Sequence, residues 1–222
     1  MSTVERANAQ TNDTGATGAV VETPVLRLVW TRSGAELDLG TIQGLWTEEM
    51  YLRLTNQTNV PIELTDGVLE ILPMPTRTHQ RILALLYRLF LEWVQPGGGE
   101  VLFAAFRLRI RPGKYREPDL LLLLDRHDPR NQEAYWSGAD LVLEIVSPDD
   151  PERDLTVKRH DYAEARIPEY WIVNPLDETV TVLTLDGEQY VEHGVFPRGT
   201  QATSRLLEGF TVPVSTVFDV IR

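Results

Sequence analysis

The sequence predicts an α/β domain in which a mixed β-sheet is flanked by helices. Three observations lead to this prediction. Residues 78–94 repeat apolar side chains at helical spacing, and a proline and three glycines then end the pattern. Residues 118–124 and 139–147 are nearly continuous apolar runs, which are typical of strands covered on both faces. Asp-Gly pairs at 66–67 and 186–187 mark hairpin turns between short strands.

The other segments follow in an order that suits such a domain. They are a strand at 25–31, a short helix after the capping residue Thr47, a strand or bent strand pair at 100–110, an amphipathic helix at 151–167, a strand at 169–175, and a final strand and short helix within 210–219. Residues 1–24 are rich in Thr, Ala, Gly and Asn, and we expect a disordered N-terminal tail there. The remaining residues, 25–222, are predicted to fold as a single domain.

Composition and charge argue against several classes of protein. The chain has no cysteine, so it has neither a disulfide framework nor a thiolate metal site, and this fits a reducing cytoplasm. Its apolar segments fall short of the roughly 20 residues that cross a bilayer. Its N-terminus lacks the basic start and apolar core of a secretory signal. The formal net charge of -12 argues against nucleic-acid binding by bulk charge, although it permits a local basic surface.

One carboxylate interrupts the apolar run at 139–147. By strand parity, Glu144 shares a face with Val142 and Val146. An ionised carboxylate among valines is costly in free energy unless something compensates its charge. Three explanations remain open for Glu144: a partner cation, a metal ion, or exposure at a sheet edge.

Asp119 and Lys158 complete a pattern of residue types with Glu144. An acid at the start of one strand, an acid within the next strand and a nearby lysine recur in metal-dependent hydrolysis of phosphodiesters. Two carboxylates suit Mg²⁺, a hard cation that prefers oxygen ligands. A lysine can orient the attacking water and offset the negative charge of the phosphate. The alternatives are a solvated turn for Asp119 and a surface position on a polar helix face for Lys158.

Basic residues are concentrated in the stretch that leads to the first of these acids. Arg107, Arg109 and Arg111 alternate and are predicted to share one face of a strand, and Lys114 and Arg116 follow in the next loop. Such a face could contact a phosphate backbone. It could equally pair with the many carboxylates of the chain.

Three segments carry a resemblance to a known family: EPDLLLL (117–123), ADLVLEIVSPDD (139–150) and RDLTVKRHDYAEARIPEYWIVNP (153–175). They resemble the Uma-two family of restriction endonucleases, which belongs to the PD-(D/E)XK nuclease superfamily. The similarity extends over roughly residues 45–195. It implies a restriction-endonuclease-like core and nuclease chemistry that uses a divalent metal, Mg²⁺ or Mn²⁺.

The resemblance also implies roles for acidic and basic residues. Asp119 and Glu144 match the two acids of the family motif and would ligate the metal. Glu63 matches a further acid, which could be a third ligand or an outer group. The superfamily pattern places its lysine two residues after the second acid, where this chain has Val146. Lys158, in the following helix, matches the lysine that this family carries instead.

Substrate contacts are predicted at three positions. His79 matches a family histidine at the start of the long helix, and a local hydrogen bond at the helix start is the alternative for this residue. Arg107 and Arg109 are the candidates for holding the phosphate backbone.

The predicted function is a Mg²⁺-dependent endonuclease that hydrolyses the phosphodiester bonds of DNA, with RNA as the alternative substrate. Asp119, Glu144 and Lys158 would carry the catalysis. A homodimer fits this function, since cleavage of both strands often uses a two-fold pair of sites. The alternative is a catalytically inactive binding or scaffold protein with the same fold, which the relocated lysine and the acidic composition favour.

Overall fold

A computed structural model describes residues 3–6, 26–30, 35–148 and 153–220. The chain divides into two units, Met1–Ile71 and Leu72–Arg222. None of the helices formed by the described residues combines the length and the apolar character that a bilayer crossing requires.

The first unit contains five strands and one α-helix within its described residues. In chain order these are β1 (Thr3–Arg6), β2 (Leu26–Trp30), β3 (Ala35–Asp38), α1 (Glu48–Thr55), β4 (Ile62–Thr65) and β5 (Val68–Ile71). Strands β1, β2 and β3 form an antiparallel sheet in that order. The predicted cap of α1 is confirmed, because the Thr47 side chain accepts a hydrogen bond from the N–H of Met50.

The Asp66-Gly67 turn forms the predicted hairpin of β4 and β5. Both turn residues have positive φ, 48° at Asp66 and 83° at Gly67. The carbonyl of Gly67 accepts the N–H of Gly44 at 2.7 Å and that of Trp46 at 3.1 Å. A Cβ on Gly67 would lie 2.5 Å from the carbonyl oxygen of Gly44, so only glycine fits both the dihedral angle and the space.

The predicted tail at 1–24 lies largely outside the described residues. Its described part, Thr3–Arg6, is the strand β1. The single domain predicted over residues 25–222 stays a prediction.

The second unit contains the main sheet and three α-helices. Its elements are α2 (Arg77–Val94), β6 (Glu100–Phe103), β7 (Leu108–Arg111), β8 (Lys114–Arg116), β9 (Leu120–Leu123), β10 (Leu141–Ile145), α3 (Lys158–Glu164), β11 (Glu169–Asn174), β12 (Thr179–Asp186), β13 (Gln189–Pro197), β14 (Gln201–Thr203), β15 (Thr211–Pro213) and α4 (Val214–Asp219). A π-helical turn, Arg153–Val157, leads directly into α3.

Six strands form the main sheet in the order β13-β12-β11-β10-β9-β6. Strands β10 and β11 are parallel, and the other neighbours pair antiparallel. Helix α3 makes the crossover that a parallel pair requires. The mixed α/β sheet predicted from the sequence is therefore confirmed.

Helices cover both faces of this sheet. On one face lies α2, whose buried side chains are Ile82, Leu83, Leu85, Leu86, Phe90 and Val94. They join a core that contains the sheet residues Leu120, Leu122, Leu141, Leu143 and Ile145. On the other face, Tyr162 and Ala163 of α3 join a second core with Leu121, Leu123, Val142 and Val146. The alternation along β9 and β10 follows strand parity, so each strand contributes to both cores.

Candidate active site

The antiparallel pairing of β9 with β10 brings the two predicted motif acids side by side. Leu120 pairs with Leu143 at the last assigned position of the ladder. Continuing that register by one residue sets Asp119 opposite Glu144. Residues directly opposite in an antiparallel pair have Cβ atoms about 4.5 to 5.5 Å apart. Two acids that are 25 positions apart in sequence (144 − 119 = 25) are thus neighbours in the fold.

Both carboxylate oxygens of Asp119 have partners. Oδ2 accepts the backbone N–H of Ile145 at 2.7 Å. Oδ1 lies 2.9 Å from Nε2 of His79, in the first turn of α2. His79 therefore donates from Nε2, while its Nδ1 is buried and has no hydrogen-bond partner among the described residues. The carboxylate is held between the end of β10 and the start of the long helix.

Asp140 makes an equivalent backbone contact at the other end of the same strand pair. It precedes β10, and its Oδ2 accepts the N–H of Leu124, just after β9, at 2.8 Å. Its Oδ1 lies 2.7 Å from Arg130. Asp119 and Asp140 thus each accept a backbone N–H at one end of the β9–β10 pair. What distinguishes Asp119 is its neighbour Glu144 and its contact with a histidine.

Glu144 is 1% exposed, in a strand whose five residues are all buried. The Lys158 ammonium lies 2.8 Å from Oε2. The Tyr162 hydroxyl donates to Oε1. Of the three explanations for a carboxylate in this strand, exposure at a sheet edge is excluded. A partner cation is present, and it compensates the charge that burial would otherwise make costly.

Lys158 is the first residue of α3 and is 5% exposed, so it is not the surface lysine that a polar helix face would carry. The regular helix predicted over 151–167 is wrong in its first part. There the chain forms the π-helical turn, and the apolar Leu155 on it is 38% exposed. A π-turn is wider than an α-turn, which shifts Leu155 out of phase with Tyr162. Residues 149–152 lie outside the described residues.

Helix α3 also carries two acids that pair with the basic residues of β7 and β8. Nε and Nη2 of Arg116 each lie 2.7 Å from Oδ2 of Asp161, and Lys114 pairs with Asp161 as well. Glu164 lies 3.0 Å from Lys114 and 2.8 Å from Arg111. Burial raises the pKa of Glu164, but its bonds and proximity to the Lys114 and Arg111 cations outweigh this and hold its pKa below the ordinary value.

The predicted basic face is confirmed only in part. Leu108 and Ile110 of β7 are buried while Arg109 and Arg111 are half-buried, as the predicted alternation requires. Arg107, however, precedes strand β7, and Arg111 is paired with an acid of α3. Arg107 is half-buried and donates to the carbonyl of Ala134 at 3.0 Å. The guanidinium carbon of Arg109 lies 6.0 Å from the ring centre of Tyr135. The predicted role of Arg107 and Arg109 in substrate binding stays a prediction.

Glu63 belongs to the first unit. It is buried in β4 and pairs across the hairpin with Glu70 of β5. Its role as a further metal ligand, implied by the family resemblance, stays a prediction from sequence.

The chemistry of the Asp119–Glu144 pair fits a hard divalent cation. The Lys158 ammonium offsets one of the two negative charges, so the three side chains keep a net negative charge that would attract a cation. Carboxylate oxygens carry two lone pairs each, and they are the ligands that Mg²⁺ prefers.

A different group, His160, Asp161 and Glu164, brings three ligand atoms within 4.8 Å of one another in the described residues. Asp161 and Glu164 are already neutralised by Lys114, Arg111 and Arg116, so this cluster is an ion-pair network.

Comparison with known proteins identifies the family. The profile of the Uma2 family, described as "Putative restriction endonuclease", matches residues 48–215. The chain belongs to the Uma2 family. Comparison with curated proteins gives no match.

A solved structure shares the fold of this Uma2 chain. It is described as a putative nuclease belonging to DUF820 from Anabaena variabilis ATCC 29413. It is 18% identical, with a TM-score of 0.63 over 77% of this chain and 98% of its own. The restriction-endonuclease-like α/β fold is thereby confirmed. Family membership supports a nuclease activity, and nucleases of this superfamily generally use divalent metal ions.

One contact in the site was not expected from the sequence. Tyr162 packs in the second core, and its hydroxyl also bonds Glu144. Its spacing of four residues from Lys158 puts both side chains on one face of α3. That spacing is the signal that could have revealed the contact.

Proposed function

We propose that this Uma2 protein is a metal-dependent endonuclease that hydrolyses phosphodiester bonds of DNA. The proposed metal ion is Mg²⁺. On duplex DNA the protein would act as a two-fold symmetric dimer. The observation that carries the proposal is the convergence in one buried site of Asp119, Glu144 and the ammonium of Lys158. If Asp119 served only to bind the backbone at the strand end, neither a second acid nor a buried lysine would be required nearby.

Asp119 and Glu144 would hold the Mg²⁺, or Mn²⁺ in its place. Bound there, the cation supplies the positive charge that lowers the pKa of a coordinated water and offsets charge on the phosphate. His79 and the N–H of Ile145 hold the oxygens of Asp119 in one orientation before substrate arrives. The Lys158 ammonium carries three N–H donors. It can hold a water or phosphate oxygen while it stays bonded to Glu144, which orients the nucleophile and stabilises developing negative charge.

Substrate binding is assigned to His79, Arg107 and Arg109. His79 contacts the candidate ligand Asp119, so a phosphate oxygen at the site would come within its reach. The two arginines belong to the same basic stretch; Arg107 donates to the carbonyl of Ala134 and Arg109 lies near the ring of Tyr135. Guanidinium groups suit phosphate oxygens because their N–H donors form a planar fork.

The test is cleavage of supercoiled plasmid DNA in Mg²⁺ by Asp119→Asn, Glu144→Gln and Asp140→Asn. Asp140 is the matched control, because it closes the opposite end of the same strand pair in the same way. Loss of the two candidate ligands should lower the rate about 100-fold or more, the effect of several kcal/mol at the transition state. Asp140→Asn should keep the wild-type cleavage rate per folded molecule. Wild-type rates for the first two variants, or an equal loss for Asp140→Asn, would refute the assigned site.

A catalytically inactive binding or scaffold protein is the second candidate. It is favoured by the pairing of Arg111, Lys114 and Arg116 with acids of α3, which leaves these cations engaged within the protein. Calorimetric titration with Mg²⁺ and Mn²⁺, in the absence and presence of DNA, separates the two candidates. Metal binding supports the nuclease, and no binding in either condition supports the scaffold.

A further inference from the structure

The buried hydroxyl of Tyr162 has a specific partner in the candidate site. Tyr162 is fully buried, and its O–H donates to Oε1 of Glu144. From one turn earlier on the same helix, Lys158 binds the other oxygen, Oε2, at 2.8 Å. We propose that Tyr162 is a positioning residue that fixes the carboxylate plane of Glu144 for metal binding. This inference rests on the proposed function.

A second donor is needed because a glutamate carboxylate turns easily. The terminal torsion of glutamate has a broad preference rather than sharp wells. Lys158 alone binds one oxygen and leaves rotation about that bond open. With Tyr162 on the other oxygen, two donors spaced four residues apart on one helix face define the plane. The carboxylate would then keep one orientation toward a bound cation.

The ring of Tyr162 does not need its hydroxyl in order to pack. It lies edge-to-face against Tyr170 of β11, with ring centres 5.0 Å apart and planes at 72°. Phenylalanine would make the same contact. The hydroxyl therefore acts on Glu144, and its removal should change the carboxylate while leaving the core filled.

The helix that carries both donors is fixed from its other side. Asp161 bonds Arg116 of β8, and Glu164 bonds Arg111 of β7 and Lys114 of β8. Lys158 and Tyr162 thus contact the carboxylate, while Asp161 and Glu164 contact the β7–β8 hairpin. A donor on a helix held in this way can define a carboxylate position to within the tolerance that a metal ligand requires.

Tyr190 provides a matched control. It is buried in the same core as Tyr162, and its hydroxyl donates to the carbonyl of Ile167 at 2.7 Å. Tyr190→Phe removes a buried tyrosine hydrogen bond without touching Glu144. The comparison of Tyr162→Phe with Tyr190→Phe separates an effect on the carboxylate from a general loss of stability.

The first measurement uses the metal-free protein. The side-chain carboxyl ¹³C resonance of Glu144 is assigned by its loss in Glu144→Gln. It should shift in Tyr162→Phe and stay unchanged in Tyr190→Phe. An unchanged resonance in Tyr162→Phe overturns the proposal.

The second measurement is Mn²⁺ affinity by titration calorimetry. Loss of an outer hydrogen bond to a metal ligand typically weakens binding about 10- to 100-fold. Tyr162→Phe should show such a loss, and Tyr190→Phe should match the wild type. Wild-type affinity in Tyr162→Phe, or equal losses in both variants, overturns the proposal. If the wild type binds no Mn²⁺, the proposed metal site fails instead, and the resonance of Glu144 still decides whether Tyr162 orients it.

Discussion

Replacing Lys158 with methionine should destabilise the protein strongly. The change keeps the length and apolar stem of the side chain but leaves Glu144, 1% exposed, without its ammonium partner. At 2.8 Å and an effective dielectric constant of about 20, the lost attraction is roughly 6 kcal/mol before desolvation is counted. Removing one partner of a buried pair costs about 3 to 5 kcal/mol. Because the Tyr162 hydroxyl still bonds the carboxylate, we expect the lower end of that range.

The assay is urea denaturation, supported by thermal melting. For a chain of this length, a loss of about 3 kcal/mol corresponds to a fall in Tm of roughly 6 to 12 °C. The double variant Lys158→Met/Glu144→Gln should recover much of the loss, because no uncompensated charge remains. Arg53→Met is the exposed control: Arg53 lies 2.7 Å from Glu49, but both side chains are about three-quarters exposed. A loss for Lys158→Met no larger than for Arg53→Met would refute the reasoning.

Three further predictions follow from the second unit. Asp161→Asn should cost about 3 kcal/mol in urea denaturation, because it removes the carboxylate that binds two buried cations of β8, Lys114 and Arg116; a loss near zero would contradict the ion-pair network. Glu169→Gln should cost about 2 kcal/mol of stability and speed amide hydrogen exchange at residues 205 and 206. The buried carboxylate accepts four hydrogen bonds, and the NH₂ group of glutamine would face some of the same donors without being able to accept from them. Amides that stay protected from exchange would contradict this. The pKa of folded Glu164 lies below its ordinary value of 4.5, so the stability from its pairing with Lys114 and Arg111 is present above that pH and is lost as pH falls through the folded pKa. Tm should therefore fall less in Glu164→Gln than in the wild type as the buffer is acidified, and parallel curves would contradict the coupling.

Local sequence signals located most of the elements correctly. The stripe at 78–94 became α2, Arg77–Val94, with Thr76 as its cap. Both Asp-Gly pairs mark hairpins, although Asp186 itself ends β12 and the second turn is formed by Gly187 and Glu188. The glycines of both turns have positive φ, which glycine adopts without steric cost. These signals depend only on residues that are close in the sequence, so they can be recognised without the tertiary structure.

The segment before α3 shows where local patterns fail. A regular amphipathic helix was predicted over 151–167, and the chain forms a π-turn over Arg153–Val157 before α3 begins. The π-turn ends directly before Lys158, whose buried ammonium binds Glu144 in the sheet. Local propensity does not describe such contacts between distant segments.

By itself, the sequence determined most of the strand and helix segments, the unusual placement of an acid in a buried strand, and the family. Only the tertiary structure decided which charges meet. The register of β9 against β10 set Asp119 opposite Glu144, and the packing of α3 brought Lys158 and Tyr162 to one carboxylate while pairing the basic residues of β7 and β8 with acids. Charge pairing depends on distances of a few ångströms between residues far apart in the chain, and such distances exist only once the layers have packed.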